Sequence, residues 1–294
     1  LLPANGYLYL TPHNCSCYLG TLLHGLKALK PRPTPTDTPS PGQRLTKGPA
    51  YTIPSQENAA ATEADWPVFR GDNMRSCSVA CGLPGKPKRK WKSNLGKELT
   101  PPVAVRDRVF VADSKGNAIY CLDAADGSVA WTYLADGPLN SPPSYCRGRL
   151  VFGTRTSSLY CLDAATGALV WKRRVAPSPS QIMAFGRLES PWPLNGSVLV
   201  QDGEVWCVAG RLRFLDGGLR LVRLDPETGQ KVAETVLDDR YGDTDKNLQV
   251  QVERLDMPVA LPDILSSDGR SVYMRNQEFT LDGQPVNVKG QRDF

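Results

Sequence analysis

Apolar and polar residues alternate in short runs between Pro102 and Arg174, and each run stops at a turn-forming residue, a pattern that predicts strands rather than helices. The first four strands read at about Pro102 to Val105, Arg108 to Asp113, Ala118 to Ala124 and Ser128 to Leu134. The set recurs at about Pro143 to Cys146, Arg149 to Thr154, Ser158 to Ala164 and Ala168 to Arg174. A third set, altered, covers Ser197 to Gln201, Glu204 to Ala209, Leu219 to Leu224 and Lys231 to Leu237, with Asp202-Gly203 as a tight hairpin and a longer middle loop at Gly210 to Gly218. A fourth begins at about Asp263, and the stretch before it, Asp238 to Pro262, reads as an insertion. Ahead of all of these, Gly6 to Leu10 and Gly25 to Leu29 look like two further strands.

The recurrence has a fixed period. Trp91, Trp131 and Trp171 stand 40 residues apart, and Tyr120-Cys121-Leu122-Asp123-Ala124-Ala125-Asp126-Gly127 is echoed by Tyr160-Cys161-Leu162-Asp163-Ala164-Ala165-Thr166-Gly167. Four short antiparallel strands per repeat define an all-β fold, a β-propeller of four-stranded blades. Propellers close with about 4 to 8 blades, so three blades and a partial fourth make an incomplete ring. The expected organisation is the end of a preceding blade at 1–30, a Pro/Ala-rich linker at 31–64 and propeller blades at 65–294. Because the chain opens on Leu1 inside an apparent strand, it reads as an excerpt of a longer protein.

Composition agrees with this reading and narrows the partners. With 26 Gly and 25 Pro, turns between strands are well supplied. A net charge of +5 over 294 residues is too mild for the basic stripe of a nucleic-acid binder, and no apolar run reaches the length of a transmembrane segment. Eight cysteines include no C-x-x-C pair. Cys121 and Cys161 take the same place in successive repeats and read as small buried residues, whereas Cys77 and Cys81 are spaced to close a small disulfide in an oxidising compartment.

The repeated turn carries its own physical logic. In Asp163-Ala164-Ala165-Thr166-Gly167 a carboxylate can accept backbone N–H groups, glycine admits a positive φ, and Trp171 on the outer strand can pack against the neighbouring blade. Asp123, Gly127 and Trp131 form one copy, Asp163, Thr166, Gly167 and Trp171 the next, and Asp225, Thr228 and Gly229 a third in which Ala233 stands where tryptophan would fall. This motif resembles the tryptophan-docking repeat of quinoprotein-type propellers. Pro3 to Tyr9, Pro12 to Cys17, Trp66-Pro67-Val68-Phe69-Arg70, Ser141-Pro142-Pro143, Glu189 to Pro193, Gly196 to Val200 and Phe214 to Gly218 resemble, more narrowly, a bacterial family of pyrroloquinoline-quinone-binding-like propeller proteins.

That resemblance implies a periplasmic or cell-surface bacterial protein. Enzymes of this fold hold pyrroloquinoline quinone between a tryptophan and a disulfide of adjacent cysteines, beside calcium and a catalytic aspartate; no Cys-Cys dipeptide occurs here. Other members are non-catalytic and bind partner proteins, among them outer-membrane assembly lipoproteins. The expected function is therefore a binding or scaffold module whose partner is a protein or other blades of the same chain, with no catalytic residues; the alternative is a quinone-dependent oxidoreductase using pyrroloquinoline quinone and calcium. One local cluster stands apart from the repeats: His13, Cys15, Cys17 and His24 bring both histidines of the chain close to two cysteines, a donor set suited to zinc or copper.

Overall fold

The computed structural model describes residues 2–11, 26–29, 44–54, 60–82, 85–184, 187–240 and 262–286. The fold is all-β. Strands β1 (Leu2–Ala4), β2 (Tyr7–Leu10) and β3 (Lys27–Leu29) form an antiparallel sheet, one strand more than the sequence pattern suggests, because Asn5-Gly6 turns the chain at positive φ and lets Leu2–Ala4 pair with Tyr7–Tyr9. Among the described residues no helix is long and apolar enough to cross a membrane.

Three antiparallel meanders follow the predicted strands within one or two residues at their ends. Unit I contains β5 (Val103–Val105), β6 (Arg108–Asp113), β7 (Ala118–Asp123) and β8 (Val129–Leu134). Unit II contains β9 (Ser144–Cys146), β10 (Arg149–Gly153), β11 (Ser158–Asp163) and β12 (Leu169–Arg174). After a small hairpin, β13 (Ile182–Ala184) and β14 (Arg187–Glu189), comes unit III: β15 (Leu199–Gln201), β16 (Glu204–Ala209), β17 (Leu219–Leu224) and β18 (Lys231–Leu237). Unit IV shows three strands, β19 (Leu265–Ser267), β20 (Val272–Met274) and β21 (Gln277–Phe279). The first strands of successive units, β5, β9, β15 and β19, lie side by side, so each sheet radiates outward from a shared inner edge. This is the architecture of a run of propeller blades.

Residue alternation explains how the sheets stack. Leu150, Phe152, Tyr160 and Leu162 of unit II pack against Phe110, Ala112, Ile119 and Cys121 of unit I. Their neighbours Val151, Leu159, Cys161 and Trp171 point the other way, onto Val205, Cys207, Val222 and Leu224 of unit III. Unit III in turn covers Leu265, Val272, Met274 and Phe279 of unit IV with Leu199, Trp206, Leu219 and Leu221. A sheet buried on both faces needs apolar residues at both parities, which is why β10 is buried along its whole length.

One strand departs from the repeat. β4 (Leu45–Lys47), inside the span read as a linker, pairs antiparallel with the outer edge of β12 and makes unit II five-stranded. Leu-Thr-Lys carries no alternation that marks it as a strand; its ladder is supplied by residues far along the chain.

Candidate functional site

Each junction between units is built on the repeated turn. Gly127, Gly167 and Gly229 all take positive φ, and a Cβ on any of them would fall 2.4 to 2.6 Å from the indole of Trp91, Trp131 and Trp171 respectively. The indole N–H groups donate to the carbonyls of Ala124 (3.0 Å), Ala164 (3.1 Å) and Pro226 (2.8 Å). Each tryptophan thus docks on the turn of the following unit. A bulge where the fourth strand meets the third, at Cys121/Leu122, Cys161/Leu162 and Arg223/Leu224, recurs at the same place.

Within the turn, Asp163 Oδ1 accepts from the Thr166 N–H (2.9 Å) and hydroxyl (2.7 Å), and Asp225 Oδ1 accepts from the same pair of groups on Thr228 (2.8 and 3.0 Å). In the first copy Asp126 replaces threonine and still caps the next strand, accepting from Ser128 N–H at 2.8 Å; this bond holds its carboxyl below the ordinary value. Where Ala233 replaces tryptophan, the Thr235 hydroxyl donates to the Gly283 carbonyl (2.8 Å), and buried Trp206 approaches Gly283 from the sheet centre.

The inner edges of the four units are tied by one segment. Trp66 exchanges both backbone bonds with Ala104 of β5 (2.7 and 2.9 Å), and Pro67 O accepts from Tyr145 N–H of β9 (2.8 Å). Asn73 Nδ2 donates to Val200 O (2.7 Å) and Gln201 Oε1 (3.1 Å) of β15, while its carbonyl accepts from Ser267 N–H of β19 (2.8 Å). Arg75 Nε ends the crossing on Leu265 O at 3.0 Å. Residues 66–75 therefore visit units I, II, III and IV in order, an axial strap that begins with the Trp66-Pro67-Val68-Phe69-Arg70 motif. Beside it lies an open cleft of about 310 Å³ lined by Ala60, Pro67, Asp72, Tyr145, Cys146 and Arg147.

Because strands alternate in direction, connections after the second and fourth strands emerge at one end of the units, and the longest connections among the described units, 135–143, 175–198 and 210–218, are at that end. There the hairpin β13–β14, the segment 190–195 and the loop Gly210 to Gly218 knit together. Arg155 Nε binds the buried Glu189 carboxylate, Ser190 N–H donates to Arg155 O (2.9 Å), and Gly210 N–H to Pro193 O (3.1 Å). Trp192 Nε1 donates to Asp216 O (2.9 Å), Arg211 Nε to Pro191 O (3.2 Å), and Arg211 Nη2 to the Asp216 carboxylate (2.7 Å). Arg187 reaches across to Ser114 O of unit I at 3.4 Å. Nearby, burial raises the Asp136 carboxyl, but Lys172 (2.8 Å) and the hydroxyls of Ser158 (2.6 Å) and Thr156 (2.5 Å) outweigh it and hold the pKa below the ordinary range.

His13, Cys15, Cys17 and His24 lie outside the described residues, as does 241–261 of the predicted insertion. Cys77 and Cys81 are free, exposed thiols. Among the described residues no group of three or more His, Cys, Asp or Glu is placed to hold a metal ion. Sequence reasoning missed the strap and the β13–β14 hairpin; Trp66-Pro67-Val68-Phe69-Arg70 was a family signature there, without a sign of what it would touch.

A family model described as outer membrane protein assembly factor BamB matches residues 84–279, about two-thirds of the chain. No curated protein matches the sequence. Among solved structures, BamB from Moraxella catarrhalis is 18% identical with a TM-score of 0.45, over 68% of this chain and 55% of that one. A quinohemoprotein alcohol dehydrogenase from Pseudomonas putida is 18% identical (TM-score 0.46; 59% of this chain, 27% of that one), and another from Comamonas testosteroni 22% (TM-score 0.45; 61% and 28%). The chain spans about half the length of the first of these structures and about a quarter of the other two.

Proposed function

The chain belongs to the PQQ-like repeat family whose model is described as outer membrane protein assembly factor BamB, and on that premise we propose that it is a non-catalytic β-propeller scaffold that binds a partner protein in the periplasm or at the cell surface. The observation that carries this reading is the axial strap: where a propeller enzyme would gather catalytic groups around its axis, residues 66–75 cross the inner strands of four units and bond to each through Trp66, Pro67, Asn73 and Arg75. The polar groups at the long-loop end likewise pair with one another, Arg155 with Glu189 and Arg211 with Asp216. Beside this network Leu188 is 56% exposed and the Trp192 indole is anchored on Asp216 O, and a pre-organised surface of this kind suits docking of a folded partner.

The test separates this reading from a quinone-dependent oxidoreductase. Full-length protein is titrated with pyrroloquinoline quinone and calcium, then assayed for dye reduction across alcohols and sugars. The scaffold reading expects neither stoichiometric uptake nor turnover; observing both would sink it. In cells, a photo-crosslinker at Leu188 is expected to give a discrete adduct with a component of outer-membrane protein assembly, and one at exposed Lys86, outside that hydrogen-bond network, to give none.

A further inference from the structure

The outer edge of unit II carries a segment that behaves as a bound peptide. Residues 44–53 run antiparallel along β12, with Leu45 opposite Arg173, Thr46 opposite Lys172 and Lys47 opposite Trp171. The ladder continues through Gly48 N–H to Val170 O (2.8 Å) and Ala50 N–H to Leu169 O (3.0 Å). Side chains then select the sequence. Leu45 packs on the core beside Trp171 and Gly229, Ala50 is 1% exposed, and Tyr51 lies against the same cluster with its hydroxyl donating to Thr228 O at 3.4 Å. A Cβ at Gly48 would sit 2.1 Å from the Leu169 carbonyl oxygen, so no other residue fits there. Arg44 Nη2 holds one end on Pro177 O (2.9 Å); buried Arg149 holds the other through Ile53 O.

None of this belongs to the repeat. Among the described residues, β8 and β18, the equivalent outer strands of units I and III, have no fifth strand. The segment is also set apart in sequence, between a stretch with five prolines and an Ala-rich one. Backbone pairing along a sheet edge supplies affinity and alternate side-chain pockets supply selectivity, the general physics of strand addition.

We propose that the outer edge of β12 is a peptide-recognition groove for extended segments of the pattern Leu-x-x-Gly-x-Ala-Tyr, with the chain's own residues 44–53 as its resident occupant. The groove stands independently of the scaffold reading, since it uses a different surface and would exist equally on an enzyme. A tethered occupant competes at an effective concentration on the order of millimolar, so a free peptide gains access when the resident segment is disabled.

The experiment adds a fluorescent peptide of residues 44–53 to the full chain and follows anisotropy. Binding to a Gly48→Val chain is expected to be at least tenfold tighter than to the unaltered chain, and a peptide carrying Gly48→Val is expected not to bind either. Equal binding to both chains, binding of the altered peptide, or no binding to a Gly48→Val chain with native near-ultraviolet dichroism would each overturn the proposal. If Gly48→Val loses that native signal, Tyr51→Ser serves as the milder disabling change with the same expected tenfold gain. Loss of the native signal in both would show the segment to be an obligatory strand of the fold and would also overturn the proposal.

Discussion

Removing the Trp171 indole should cost more than any other single truncation at a unit junction. Its side chain is fully buried, at 0% exposure, between units II and III. A ring of this kind buries on the order of 200 Å², and Trp→Ala in a packed core costs about 3–5 kcal/mol. The substitution also strands the Pro226 carbonyl, which the indole N–H reaches at 2.8 Å, adding about 1 kcal/mol. Taking about 5 kcal/mol as the total and a urea slope of about 3 kcal/mol/M, the midpoint of unfolding followed by far-ultraviolet dichroism should fall by roughly 1.5 M. Trp171→Phe, which keeps most of the packing and loses the hydrogen bond, should shift it by less than half as much. Val232→Ala, on the exposed part of an outer strand at 52% exposure, is the control and should barely move it. If Trp171→Ala shifts the midpoint no further than that control, the indoles are not what ties the units together.

Asn73→Ala should remove the strap's side-chain hold on unit III and cost about 1–3 kcal/mol, read as faster hydrogen exchange at the Ser267 amide that bonds to Asn73 O; unchanged exchange there would mean the strap is held elsewhere. Asp136 has a folded pKa below its unfolded value, so its stabilising contribution is present above the ordinary carboxylate value of about 3.9 and is lost as pH falls through the depressed one. Asp136→Asn should therefore be less stable than the parent at pH 6, with the gap closing below about pH 4; a gap independent of pH would refute the ion-paired reading. Iodoacetamide on native protein should alkylate Cys77 and Cys81 and spare Cys121 and Cys207, whose thiols burial pushes up to about 11 and about 12 respectively; mass spectrometry before and after denaturation checks this.

What could be read in the sequence was whatever lies close along the chain. The turn Asp163 to Gly167 and the strand carrying Trp171 are fixed by neighbours within a dozen residues, so their period announced both the strands and the contact surface. Even Asp126, which breaks the threonine pattern, keeps the chemistry, because its carboxylate accepts the strand-capping N–H as the threonine hydroxyl does. The strap and β4 were illegible for the opposite reason. Asn73 finds its partners at Val200 and Ser267, and Leu45 at Arg173, across separations where no local pattern records the pairing. The β13–β14 hairpin escaped because each arm is only three residues long, Ile182-Met183-Ala184 and Arg187-Leu188-Glu189, too short for an alternation to show. At the third junction, Ala233 marked the missing tryptophan, but that Thr235 and Trp206 would serve Gly283 instead depended on packing.

The axial strap also bears on how such a chain can evolve. Tandem repeats usually gain or lose copies freely, since each touches only its neighbours. Here Trp66 to Arg75 must meet four inner strands in succession, and a fully extended chain covers at most about 3.3–3.6 Å per residue. Duplicating or deleting a unit between Tyr145 and Val200 would throw Pro67 and Asn73 out of step with their partners. The strap acts as a ruler, and copy number within the span it measures is inherited as a block.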